Sequence, residues 1–126
     1  MSVDSTARLV GALDAQDVNN GVHRLRSWAH SALAVRPGER ALDIGAGTGS
    51  QTRNLAAAVG PQGRVLGLEP NPGLRAVAEQ RAAEAGSSAR FADGDALSLP
   101  LPDSTVDVVW CERVLQHLAE PEKAVV

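Results

Sequence analysis

Apolar positions along this chain follow two regimes, and the change between them falls near Pro37-Gly38. Before that point the spacing is helical. Ser5 to about Leu13 carries a weak helical pattern, and Asn19-Asn20-Gly21 is a turn signal. Val22, Leu25, Ala29, Ala32 and Leu33 then recur at helical intervals. They predict an amphipathic helix with Arg24 and Arg26 off the apolar face, turned to solvent. Residues 1–37 therefore read as a helical arm.

Beyond Pro37-Gly38 strands alternate with helices. Arg40-Ala41-Leu42-Asp43-Ile44 is a short strand candidate, followed by the glycine run Gly45-Ala46-Gly47-Thr48-Gly49 and a helix over Ser50–Val59, with Leu55 and Val59 inward. Gly60-Pro61-Gln62-Gly63 ends that helix. Arg64 to Glu69 is a second strand, apolar enough for burial on both faces of a parallel sheet. Pro72–Ala85 is the clearest helix, with Gly86 as its stop. Ala89–Ala92 and Val106–Trp110 are the third and fourth strands.

This alternation predicts right-handed crossovers and a doubly wound, mostly parallel α/β sheet of Rossmann-like form over residues 38–126. At the far end Glu120-Pro121-Glu122 reads as a helix start with little chain after it. The fourth strand would then lie near an open, apolar edge that favours self-association. The expectation is the N-terminal portion of a longer protein, with the sheet cut after its fourth strand.

Composition narrows the function classes. The chain has 126 residues, a net charge of −3, and 44% hydrophobic residues that include only two Trp and one Phe. Its core must therefore be built from Ala, Val and Leu. The mildly acidic balance lacks the basic footprint of a nucleic-acid binder. No apolar run approaches the roughly 18–20 residues of a membrane span. One cysteine, Cys111, gives no internal disulfide and no zinc cluster, and His23, His30 and His117 are not at ligand spacing, so no metal site is expected. The localisation expected is cytoplasmic.

The glycine run carries the chemistry. In a parallel α/β sheet, ligands sit beyond the C-terminal ends of the strands, where Gly45–Gly49 lies. Gly45 and Gly47 let backbone approach a ligand closely, and Gly49 allows tight packing of the next helix. The N-terminus of that helix offers free N–H groups to a carboxylate or phosphate. Glu69, at the end of the second strand, is placed to take both hydroxyls of a ribose. A dinucleotide fold expects G-x-G-x-x-G. Here the run is G-x-G-x-G, and Asp43 precedes it, an acid that would repel a pyrophosphate and suit an ammonium. A ligand with an amino acid at one end and adenosine at the other fits better, as in S-adenosylmethionine.

The ordered motifs resemble the class I S-adenosylmethionine-dependent methyltransferases, most nearly the ubiquinone/menaquinone-biosynthesis type. Ala41-Leu42-Asp43-Ile44-Gly45-Ala46-Gly47-Thr48-Gly49 is similar to their first motif. Val65 to Pro72, with Glu69-Pro70-Asn71, is similar to the second, whose acid binds the ribose. Phe91-Ala92-Asp93-Gly94-Asp95-Ala96 is similar to the third, implying that Asp95 and Ala96 flank the adenine. Val106 to Leu118 is similar to the fourth strand and its loop, implying that Cys111, Glu112 and Arg113 border the cofactor. The resemblance also implies the strand order 3-2-1-4-5-7-6, of which this chain supplies counterparts of the first four, and a small-molecule methyl acceptor.

Other residues have blander readings. His117 is a weak candidate for a catalytic base, since methyl transfer to an already nucleophilic acceptor needs none. Cys111 reads as a small packing residue rather than a nucleophile. Trp28 and Trp110 read as core or near-core residues, with Trp28 alternatively capping the cofactor. Two other classes stay open: a non-catalytic binding or interaction module, and a dinucleotide-binding oxidoreductase.

Overall fold

The computed structural model describes residues 3–94 and 106–111. Its elements run α1 (Val3–Asp17), α2 (Asn20–Leu33), β1 (Arg40–Ile44), α3 (Ser50–Val59), β2 (Arg64–Leu68), α4 (Pro72–Glu84), β3 (Arg90–Ala92) and β4 (Val108–Cys111). The four strands form one parallel sheet in the order β3-β2-β1-β4. Among the described residues no helix is long and apolar enough to cross a membrane.

Register sorts the strand side chains onto two faces. Ala41↔Val65, Ala41↔Val108, Asp43↔Gly67, Asp43↔Trp110 and Gly67↔Phe91 are paired, so these residues share one face. Leu55, Ala56 and Val59 of α3 pack on that face against Ala41, Val65, Val108 and Trp110. On the other face Leu42, Ile44 and Leu68 form a second buried cluster with Leu66, Ala92 and Val106. Burying a leucine as fully as Leu42, Leu55 and Leu68 are buried is worth roughly 1.5–3 kcal/mol each.

Local chemistry explains the element ends. Asn71 caps α4, its Oδ1 accepting from the Gly73 and Leu74 N–H groups at 2.9 and 3.2 Å, with Pro72 in the first turn. At the other end Gly86 (φ +65°) donates to Ala83 O and Ser87 to Ala82 O, the paired bonds of a Schellman stop. Asn19 does not open a free turn. It caps α2 by accepting from Val22 N at 3.1 Å, and Gly21 lies inside the helix. Because no stop signal follows Leu13, α1 continues to Asp17. Strand β4 starts two residues later than the apolar run. Asp107 instead takes the Arg40 N–H on its Oδ2 and gives its own N–H to Arg40 O, both at 2.8 Å.

Three expectations for the arm are corrected. Arg26 is buried, at 5% exposure, with its guanidinium 2.8 Å from Asp17, while Arg24 is exposed. Trp28 is 69% exposed rather than in the core, and Leu25 and Leu33 of the predicted apolar face are exposed as well. Helix α2 is rotated so that Arg26, Ala29 and His30 face the body. His30 stacks on Trp110, with ring centroids 4.1 Å apart and planes 11° apart, and its Nε2 meets Gln51 Oε1 at 2.8 Å. Aromatic stacking and a paired buried cation set this rotation against the apolar stripe.

Candidate functional site

The site is built where β1 and β2 end. The loop after β1 turns at three glycines with positive φ, Gly45 (74°), Gly47 (60°) and Gly49 (85°), a region that side chains enter only with strain. The loop hangs from β2: Gly45 N and Ala46 N both donate to Leu68 O, at 2.9 and 3.0 Å. Gly49 N closes back on Ala46 O at 2.9 Å, and Gly49 then caps α3 without any side-chain hydrogen bond. The first turn of α3 is thus not capped from the side, the arrangement that leaves helix N–H groups for a ligand.

Gly49 has a second constraint. A Cβ placed on it would lie 2.8 Å from Phe91 Cζ and 3.2 Å from Ala78 Cβ, and a Cβ on Gly67 would lie 2.8 Å from Phe91 Cδ1. The Phe91 ring therefore occupies the space that two glycines leave, locking α3, α4 and β3 together beneath the loop.

Glu69 connects the loop to α4. It is 7% exposed; its Oε1 accepts from Gly47 N at 2.8 Å and its Oε2 from Asn71 N at 2.9 Å. A carboxylate has about four lone-pair positions, so each oxygen keeps capacity for another donor. This fits a vicinal diol, which brings two hydroxyl donors. Arg75 Nη1 holds the Glu69 carbonyl at 2.7 Å and lies 3.8 Å from Asp93 Oδ1.

Asp43 is buried at 2% exposure in the middle of this region, and its Oδ2 accepts from Thr52 Oγ1 at 2.7 Å. The acid is thereby pinned to α3 one turn after the loop. Arg53 donates to Thr48 O at 3.1 Å, and desolvation by burial lowers its pKa from the ordinary arginine value.

The structure thus brings together Asp43, Gly45, Ala46, Gly47, Thr48, Gly49, Glu69 and Asn71, with Pro70 exposed beside them. Cys111 closes β4 next to Ile44, and it is exposed rather than packed, because alternate β4 side chains turn away from the α3 face. Asp95, Ala96, Glu112, Arg113 and His117 lie outside the described residues. Sequence reasoning missed Thr52, Arg75 and Phe91. Thr52 follows Asp43 at a distance no local pattern links, whereas Asn71 directly before Pro72 is a cap signal that local rules could have found.

With this geometry in place, the comparisons decide the family. The family profile described as a methyltransferase domain matches residues 42–126. The chain belongs to the class I S-adenosylmethionine-dependent methyltransferases. S-adenosylmethionine is the cofactor of this family. It is 36% identical over 110 residues to the ubiquinone/menaquinone biosynthesis C-methyltransferase UbiE of Ectopseudomonas mendocina, covering 85% of this chain and 43% of that protein. It is 37% identical over 115 residues to an uncharacterized 37.1 kDa protein in transposon TN4556 of Streptomyces fradiae, covering 91% of this chain and 33% of that one. The solved YcgJ protein of Bacillus subtilis superposes with a TM-score of 0.70 at 32% identity, covering 82% of this chain and 43% of that one. The chain therefore spans less than half the length of these relatives. The β3-β2-β1-β4 order agrees with the first four strands of the family's sheet.

Proposed function

We propose that this chain is the cofactor-binding half of a methyltransferase acting on a small-molecule acceptor. The observation that carries the reading is Glu69, a buried carboxylate whose oxygens each take one backbone N–H and keep room for another donor. In this reading Glu69 receives both ribose hydroxyls, and Gly45–Gly49 with the first turn of α3 receives the amino-acid end. Pro70 and Asn71 line the ribose edge. Asp43, held by Thr52, faces the ammonium directly or through water. Asp95 and Ala96 would border the adenine, and Cys111, Glu112 and Arg113 would close the pocket beyond β4.

When bound, the cofactor would supply an electrophilic methyl group on a sulfonium, held by Glu69 at the ribose and by Gly45–Gly49 and the first turn of α3 at the amino-acid end. This chain's contribution is alignment, which is most of what an in-line displacement requires. The small-molecule acceptor is supported by the name of the relative from E. mendocina, a C-methyltransferase of quinone biosynthesis. Coverage of less than half of such relatives supports assigning the acceptor wall to chain outside these residues.

Calorimetric titration with S-adenosylhomocysteine and, separately, with reduced nicotinamide dinucleotide tests the reading. Saturable binding of the first and none of the second is expected. Preference for the dinucleotide, or no binding of S-adenosylhomocysteine, would overturn it.

A further inference from the structure

Helix α1 has no buried residue among those described, and polar links join it to the body beside the half-buried Thr6, Val10 and Leu13. Two acids near its C-terminal end supply these links. Asp14 takes the Arg81 guanidinium of α4 with both oxygens, at 2.7 and 3.1 Å. Asp17, the last residue of the helix, reaches a different place. Its Oδ1 accepts from Arg26 Nη1 of α2 at 2.8 Å and from the Ser50 hydroxyl at 3.3 Å. Ser50 opens α3 and follows Gly49 directly, so Asp17 touches the residue joining the glycine loop to its helix. Ser50 Oγ also accepts from Gln51 Nε2 at 3.4 Å, and Gln51 holds His30 of α2.

We infer that Asp17 is a positioning residue for the cofactor loop, tying the helical arm to the first turn of α3 through Ser50 while Arg26 neutralises its charge. This rests on the cofactor reading given above. The physical reason lies in what else holds that turn. Gly49 caps α3 with no side chain, so Ser50 is restrained by its contacts rather than by a cap. An acid beside a helix N-terminus is stabilised by the helix dipole, but left unpaired it would oppose an anionic ligand group at the same place. Pairing with Arg26, whose side chain is 6% exposed, keeps the link while cancelling that charge.

Asp14 gives the matched control, because it sits on the same helix with an ion pair that leads to α4 rather than to the loop. In the 126-residue chain, Asp17→Ala is expected to raise the Kd for S-adenosylhomocysteine about fivefold or more, the lower bound of usual coupling between sites. Asp14→Ala is expected to lower the melting temperature while changing that Kd less than about twofold. Ser50→Ala, which leaves every ion pair intact and tests the link even if Asp17→Ala does not fold, should weaken binding about two- to threefold. In the Asp17→Ala background it should add nothing, as two partners of one interaction do. Equal Kd effects of Asp17→Ala and Asp14→Ala would overturn the inference. So would an unchanged Kd in Ser50→Ala, or full additivity of the two substitutions. Failure of the wild-type chain to bind S-adenosylhomocysteine would instead overturn the reading of the site, and this inference with it.

Discussion

Replacing Glu69 with glutamine separates shape from chemistry at the centre of the site. The two side chains are nearly isosteric, so packing around this 7%-exposed residue is preserved. The acceptor count is not. Oε1 faces the Gly47 N–H at 2.8 Å and Oε2 faces the Asn71 N–H at 2.9 Å, both donors. A carboxamide presents one oxygen and one NH2 group, so whichever way it turns, one backbone N–H meets another donor. A hydrogen bond to a charged group is worth roughly 1.5–3 kcal/mol, and a buried group left unpaired costs a similar amount. Unfolding in urea should therefore show a loss of about 1.5–3 kcal/mol in Glu69→Gln. Binding of S-adenosylhomocysteine should weaken by about 10- to 150-fold, the same energy expressed as a ratio of Kd values. Glu69→Ala should weaken it at least as much. Calorimetric titration of both variants beside the wild type measures this directly. Affinity in Glu69→Gln within about twofold of wild type would refute the reasoning, since the diol would then not be bound by this carboxylate.

Gly47→Val puts a β-branched residue at φ +60°, and binding should be lost while the circular dichroism spectrum stays near wild type; retained affinity would place the ligand elsewhere. Gly49→Ala sets a methyl about where Phe91 lies, 2.8 Å from Cζ, and should cost roughly 1–3 kcal/mol in urea unfolding, part of which Phe91→Leu in the same chain should restore. The pKa of Asp14 is lowered first by its hydrogen bond from Arg81, and that of Asp107 by the backbone N–H of Arg40. Their stabilisation is thus complete above the ordinary carboxylate range and disappears as pH falls below about 4 through the depressed folded values. Thermal unfolding of Asp14→Asn and Asp107→Asn should show a smaller acid-induced loss than wild type, and parallel curves would contradict this. Leu25, Trp28 and Val109 are large exposed apolar residues near the β4 edge, so the chain should self-associate in light scattering and Trp28→Glu with Val109→Lys should reduce it; a monodisperse wild-type monomer would count against this.

Short-range rules made much of this protein legible in its amino-acid order. The alternation of strands and helices, the parallel sheet, the glycine loop after β1 and the stop of α4 at Gly86 each follow from residues within a few positions of one another. So did the place of Glu69 at the end of β2, because strand period and length put it there. Tertiary structure decided what depends on partners distant in sequence. Helix α2 shows an apolar stripe, yet Arg26 and His30 are turned inward, because Asp17, Gln51 and Trp110 offer a paired charge, an amide and a stacking ring that no local pattern announces. Trp28 is exposed for the same reason, since a helix that buries one face must present the other. The lone aromatic in β3, Phe91, gained its role only when the fold brought Gly49 and Gly67 against its ring. Local propensity sets which elements form, but the rotation of each element is set by the energies of contacts made across the chain.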